Sequence, residues 1–183
     1  MSGTVRLETG NLVLRRHVES DASVLYEQIG RNPAMTAYSG WNPYADMETA
    51  EQTVGRFLAS YGDDRFYGWA IEADGKMAGT IGAYDYDPKS NSIEIGFSIF
   101  PSFQRKGYAA AALRKVLRYL KEEEAIGTVT AWCAAENAGS RRVMEKSGMV
   151  LKHIEPEGLA IGGMLYDRLD YVYAKGDGSC GNG

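Results

Sequence analysis

The sequence predicts an α/β fold of three layers, with a mixed but mostly antiparallel central sheet of about seven strands and helices on both faces. Three observations carry this. Strand-like runs at residues 66–72, 76–86 and 92–100 follow one another with turn signals between them, which suits antiparallel neighbours. The remainder then runs helix, strand, helix, strand, strand, a pattern that needs a parallel crossover. No repeat and no linker-like stretch divides the 183 residues, so residues 1–175 are read as one domain, with 176–183 as a disordered tail.

The elements follow in order. Residues 12–16 (LVLRR) form a short strand, and a helix begins near Asp21 with Leu25 and Ile29 facing inward and stops at Asn32-Pro33. The segment 34–47 is irregular and aromatic. Asp46 then opens a second helix to about Ser60. Asp74-Gly75 marks a hairpin between the runs at 66–72 and 76–86. A further turn at 87–91 leads into SIEIGFSIF, where Glu94 alternates with Ile93 and Ile95 and so takes the opposite face. A helix runs from about Arg105 to about Glu124, with Ala109, Leu113, Val116, Leu117 and Leu120 on one face. A strand at 128–134, a short helix at 137–147 and strands at 151–155 and 165–174 complete the order.

Composition narrows the class. Hydrophobic content of 44% is enough for a core, and a net charge of −4 argues against a nucleic-acid surface. Cys133 and Cys180 have neither disulfide-framework nor metal-ligand spacing, and Cys133 reads as a buried thiol in an apolar strand. His17 and His153 are isolated, so no metal site is expected. With no leader-like segment or apolar span, no membrane association and a cytoplasmic address are expected.

The stretch PSFQRKGYAAAALRKVL is unusual because Arg105 and Lys106 sit at the start of a helix, an end that is already partly positive. Gly107 and four alanines follow. In the bland reading Gly107 is a tolerated defect of roughly 0.5–1 kcal/mol and the cations are solvated. In the functional reading the free N–H groups of the first turn meet a phosphate, the cations add charge, and the small residues give room. The stretch is neither a P-loop nor a three-glycine dinucleotide fingerprint.

Gln104-Arg105-Lys106-Gly107-Tyr108-Ala109 resembles the Q/R-x-x-G-x-G/A signature of the GNAT acetyltransferase superfamily. The surrounding IEIGFSIFPSFQRKGYA, the pair NAGS and EKSGM, and LVLRR, YGWAIEADGKMAGTIG and YDRLDYVYAK resemble its ribosomal-protein N-terminal acetyltransferase branch, over about residues 5–174. The resemblance implies a sheet splayed between the fourth strand (92–100) and the fifth (128–134). It implies acetyl-CoA as cosubstrate, with Phe97, Ser98 and Ile99 pairing with the pantetheine amides. Gln104, Arg105, Lys106, Gly107, Tyr108, Ala109 and Ala110 would take the pyrophosphate, and Asn137 the pantetheine arm. Ser140 is the implied partner of the leaving sulfur, because Met144 stands where many members have a tyrosine. Glu94 and Glu155 are the implied candidates for the base.

Each of these residues also has an ordinary reading: Asn137 as a helix N-cap, Ser140 as a local N–H acceptor, the glutamates as surface charge. The expected function is acetyl transfer to a primary amine in a ternary complex, on a protein N-terminus or a small molecule. A CoA-binding module without catalysis and an unrelated phosphate binder remain as alternatives. Five acidic residues (Asp85, Asp87, Glu94, Glu155 and Glu157) would favour a cationic acceptor if they grouped in space. Tyr38, Trp41 and Tyr44 would help to shape the acceptor site. Dimers are common in this family, which makes a homodimer an expectation.

Overall fold

The structure is a computed structural model that describes residues 1–174; the expected tail at 176–183, with Cys180, lies outside the described residues. Its centre is an eight-stranded sheet: β1 (Leu7–Thr9), β2 (Leu12–Arg15), β3 (Tyr67–Ala73), β4 (Lys76–Asp87), β5 (Ser92–Ile99), β6 (Thr128–Ala134), β7 (Val150–Ile161) and β8 (Met164–Ala174). In space the order is β1-β2-β3-β4-β5-β6-β8-β7, and β5·β6 is its one parallel pair. The sheet is open, not closed into a barrel.

The α-helices are α1 (Asp21–Leu25), which continues as a π-helical turn over Tyr26–Gly30, α2 (Pro33–Thr36), α3 (Met47–Ser60), α4 (Tyr108–Glu122) and α5 (Ala138–Lys146), with a 3-10 turn at Pro101–Phe103 before α4. The face that carries Ile93, Ile95, Val129 and Tyr171 is covered by α4 and α5, through Leu113, Val116, Leu117, Leu120 and Met144. The opposite face packs Ala70 and Met77 against α1 and α3, through Leu25, Ala50 and Val54. A fully buried Leu or Val contributes about 1.5–3 kcal/mol, so the α4 stripe anchors this helix firmly against β5. The arrangement is the expected three-layer one.

Four local differences have physical causes. The Gly10 turn (φ +58) folds Leu7–Thr9 back on β2 and adds an eighth strand. Asn32-Pro33 does not only stop a helix; Asn32 accepts from the Ala34 N–H at 3.2 Å and starts the four-residue α2, with Pro33 in its first position. Strand β7 runs through Pro156 because it is an edge strand, where a missing N–H is tolerated, with a register shift between Glu155 and Leu159. Finally, α4 begins at Tyr108, so Arg105 and Lys106 lie in the loop before it: Arg105 (φ +62) and Gly107 (φ +77) both adopt left-handed backbone.

Two ends of the chain's own segments are tied down by buried polar groups. Glu124, 6% exposed, accepts from the Ser2 N–H, the Tyr67 hydroxyl (2.6 Å) and the Tyr119 hydroxyl (2.8 Å). Asp21, 3% exposed, receives a two-pronged Arg15 guanidinium at 2.8 and 3.0 Å, and Arg15 also reaches Glu72. These clamps fix the two helical layers to the sheet.

Candidate active site

The parallel pair β5·β6 is short. Only Ser92, Ile93 and Glu94 pair, with Thr128, Val129 and Thr130, after which the strands part although each continues. The backbone parity of β5 is set by two bonds: Phe100 N–H donates to Ala78 of β4, and Asn91 accepts from Thr128 N–H on the β6 side. Backbone groups alternate along a strand in an antiparallel pair. Hence Ile95, Phe97 and Ile99 turn their N–H and C=O into the opening, while Ser98 turns its own toward β4. The expected trio of backbone partners therefore reduces to Phe97 and Ile99, and the Ile99 carbonyl already accepts from Gln104 Nε2 at 3.0 Å.

Both strands run their carboxyl ends into helix starts. After β5, the N-cap position of α4 is Gly107, which has no side chain to cap the first turn, so the Tyr108, Ala109 and Ala110 N–H groups stay unbonded by any side chain. A Cβ placed on Gly107 would meet nothing within 4 Å, so its glycine serves the backbone angle and the open approach, not internal packing. Arg105 is exposed, and the Lys106 ammonium lies 5.4 Å from the centre of the Phe103 ring and 6.0 Å from that of Tyr108. Left-handed backbone on both sides of Lys106, uncapped first-turn N–H groups and two exposed cations are features that would suit an anion. Tyr108 points elsewhere: its hydroxyl accepts from Asn11 Nδ2 at 3.3 Å. Ala110 is buried.

After β6, Asn137 caps α5, its Oδ1 accepting from the Ser140 N–H at 3.1 Å. The cap uses the oxygen and leaves the Nδ2 donors. The Ser140 side chain is half-buried and its hydroxyl makes no hydrogen bond among the described residues, so the local-acceptor role expected of a first-turn serine is not the one it plays.

Glu94 is the last paired residue of β5, at the apex of the opening, with its side chain on the face opposite α4. Its Oε1 accepts from Trp132 Nε1–H at 2.9 Å. Trp132 is in turn covered by the Arg168 guanidinium, 5.0 Å from the ring centre, and Arg168 donates to Asp170 at 2.8 Å. Tyr84 lies on the other side of Glu94, opposite it in the β4·β5 register. Burial first, and then the charge of Glu94, push the Tyr84 hydroxyl well above the usual phenol range, so it stays a neutral donor.

Glu155 is placed differently. It pairs with Arg168 on β7·β8, three strands from β5, about 14 Å at normal strand spacing, and its side chain folds back toward Gly158. The five acidic residues do not form one group: Asp85 and Glu94 both lie near the Tyr84 hydroxyl, whereas Asp87 is spent on its own turn, accepting from Lys89 N–H and the Ser90 hydroxyl. Cys133 is 4% exposed, and burial pushes its thiol up to about 11, so it is no thiolate nucleophile. Among the described residues no cluster of His, Cys, Asp or Glu is arranged to hold a metal, and no helix is long and apolar enough to cross a membrane.

Trp132, Arg168 and Tyr84 were not singled out in the sequence. Period-two alternation puts Trp132 opposite the buried Ala131 and Cys133, but its meeting with Glu94 depends on the β5·β6 register, which no local pattern reveals.

Residues 11–150 match the family model described as an acetyltransferase (GNAT) domain. Among curated proteins, the uncharacterized N-acetyltransferase YoaA of Bacillus subtilis (strain 168) is 29% identical over 171 residues, 92% of this chain and 96% of that protein. Among solved structures, the ribosomal L7/L12 alpha-N-protein acetyltransferase RimL in complex with coenzyme A superposes with a TM-score of 0.84 at 19% identity, covering 93% of this chain and 98% of that one. The ribosomal-protein-S5-alanine acetyltransferase of Vibrio fischeri superposes with a TM-score of 0.81 at 18% identity, covering 94% and 98%. These two likenesses are of fold. With a matching domain model across most of its length, and a sheet that parts just where two helix starts converge, the chain belongs to the GNAT acetyltransferase family.

Proposed function

We propose that the protein moves an acetyl group from acetyl-CoA to a primary amine, by direct transfer with both substrates bound. The observation that carries this reading is the opening between β5 and β6: it has an unused backbone edge on one side, two helix starts at its wide end and a carboxylate at its apex.

Acetyl-CoA would supply the acetyl group as a reactive thioester. The chain's own groups fit such a molecule. The uncapped first turn of α4, with Arg105 and Lys106, suits a pyrophosphate. The Phe97 N–H and C=O, turned into the opening, can pair with an extended amide as one strand pairs with another, and Asn137 Nδ2 is a further donor at the rim. This is a fit of shape and donors, independent of charge matching alone.

The chemistry asks for three things. An amine of pKa about 8–10 must lose a proton before it attacks, and Glu94 is a carboxylate able to take it. The Trp132 N–H fixes one of its oxygens, and the Tyr84 hydroxyl lies beside the same carboxylate as a second donor. Charge growing on the acetyl oxygen needs a fixed donor, which an inward-facing N–H of β5 provides. The departing sulfur needs a hydrogen bond, and Ser140, whose hydroxyl is otherwise unengaged, is the residue proposed for it.

The test is a panel of primary amines and N-terminal peptides, incubated with acetyl-CoA and followed by release of free thiol and by the mass of the acetylated product. Transfer to at least one amine that depends on Glu94 supports the reading. Tight acetyl-CoA binding with no transfer across the panel would replace it by a CoA-binding module without catalysis.

A further inference from the structure

A cleft of about 450 Å³ opens on the face of the sheet opposite α4, between α3 and strands β3 and β4. Its walls are aromatic: Tyr44, buried, with Phe57 and Phe66. Its floor includes Gly82, which pairs with Gly68 across β3·β4. The row continues in register to Gly96 on β5. Aromatic side chains lie over the two outer glycines, Phe66 over Gly68 (a Cβ built there would sit 3.0 Å from its ring) and Tyr84 over Gly96, so the peptide plane left open is that at Gly82.

The Tyr84 ring lies over Gly96: a Cβ built there would sit 3.0 Å from its hydroxyl and 3.4 Å from Cε1. Tyr84 also lines the cleft, so it stands between the cleft and Glu94. At 45% exposure it is held on one side only.

A second feature is independent of the glycines. His17 lines the cleft and is 3% exposed. Its ring lies 5.0 Å from that of Phe57. Nδ1 lies 3.2 Å from Asp21 Oδ2, so the buried ring is held at the cleft wall by a carboxylate of α1.

Charge decides which amine suits such a space. The ionic side chains at the cleft are Asp63 and Arg65, exposed and of opposite sign, and its interior carries no carboxylate for a second ammonium. Burying an unpaired cation costs several kcal/mol. A flat apolar group, by contrast, can lie over Gly82 between the aromatic walls. From β3·β4 to the β5 edge is about two strand spacings, roughly 10 Å, so an amine on a short linker reaches Glu94 while its body stays in the cleft.

We infer that this cleft holds the body of the acceptor, a primary amine carried on a flat apolar group, with Tyr84 dividing the body's site from Glu94. The inference rests on the acetyl-transfer reading above for the fate of the amine, but not for the binding of its body.

The experiment therefore has two arms. In the first, binding of 2-phenylethylamine and of spermidine is measured by calorimetry with the full chain, in wild type and in Thr80→Phe, which fills the cleft from the strand β4 side of its floor. Wild type should bind the aromatic amine more tightly than spermidine, and Thr80→Phe should weaken the aromatic amine at least about tenfold, the usual loss for a blocked apolar pocket. In the second arm, kcat/KM at saturating acetyl-CoA is compared for 2-phenylethylamine and ethylamine. The wild-type ratio should be at least about tenfold and should fall toward one in Thr80→Phe, through KM. Failure of all transfer while the first arm holds would remove the acetyl-transfer reading and leave the cleft assignment standing. Binding of spermidine as tight as that of the aromatic amine, or a wild-type ratio near one, would overturn the assignment.

Discussion

Trp132 Nε1–H donates to Glu94 Oε1 at 2.9 Å across the point where β5 and β6 cease to pair. The bond joins two strands at the last position where they are close, and it aims the one carboxylate at the apex of the opening. In the proposed transfer, a carboxylate free to rotate would spend much of its time away from the amine, and a fixed one would not.

Trp132→Phe keeps the ring under Arg168 and removes only the donor. A hydrogen bond to a charged group contributes about 1.5–3 kcal/mol, so kcat should fall at least about tenfold if that energy is spent on orientation. The acetyl-CoA dissociation constant should stay as it is. Stopped-flow kinetics and calorimetry on the variant check both halves. A rise in KM for acetyl-CoA with kcat intact would mean that Trp132 serves cofactor binding instead.

Glu94 and Glu155 looked equivalent in the sequence and are not equivalent in space. Glu94→Gln should lower kcat by about 100-fold, the lower end for loss of a general base. Glu155→Gln, three strands away, should stay within about twofold of wild type on the same scale. The comparison needs one amine acceptor and initial rates; the reverse ranking would move the base to β7.

Gly107→Ala separates folding from binding. With φ at +77 an alanine is strained by about 1 kcal/mol, a shift of roughly 2–4 °C in melting temperature for a chain of this size. Its new methyl meets nothing within the chain but enters the space in front of the α4 start. Acetyl-CoA affinity should therefore fall more than the stability does, by about tenfold or more. Calorimetric titration beside thermal unfolding gives both numbers.

Asp21 ties the α1 layer to the sheet, and its charge dictates a pH dependence. Burial alone would raise its carboxyl, but the contacts from His17, Arg15 and the Val18 N–H outweigh burial and hold it well below the usual carboxylate range. A carboxyl held low in the folded state contributes stability that is complete above its unfolded value of about 4 and is lost as pH falls below that. Asp21→Asn should cost about 3 kcal/mol at pH 7, since it leaves Arg15 with Glu72 alone. The gap between wild type and variant should shrink as pH is lowered from about 5 to about 2. Urea unfolding across that range measures it.

Much of this was legible in the residues themselves. Local signals carry their own geometry: Asp74-Gly75 gave its hairpin, Asp46 caps α3 through the Thr49 N–H at 2.7 Å, and the alternation around Glu94 placed it on the correct face. The loop signature located the α4 start, though not the left-handed Arg105 that moves both cations out of the helix. What escaped was set by pairing between distant strands. The backbone parity that retires Ser98, the 14 Å or so that isolates Glu155, and the Trp132–Glu94 bond all depend on register across β4, β5, β6 and β8. Strand β1 was missed for a simpler reason: three residues are too few to show a period.

The most direct test of the central claim is thermal unfolding of the protein with acetyl-CoA, CoA and ATP titrated separately. A ligand at 100 times its dissociation constant adds roughly 2.7 kcal/mol. The account predicts stabilisation of that order by acetyl-CoA and CoA, well beyond anything ATP provides, because ATP offers phosphates to the α4 start but no extended amides to the free edge of β5. Equal stabilisation by ATP, or none by acetyl-CoA, would contradict it.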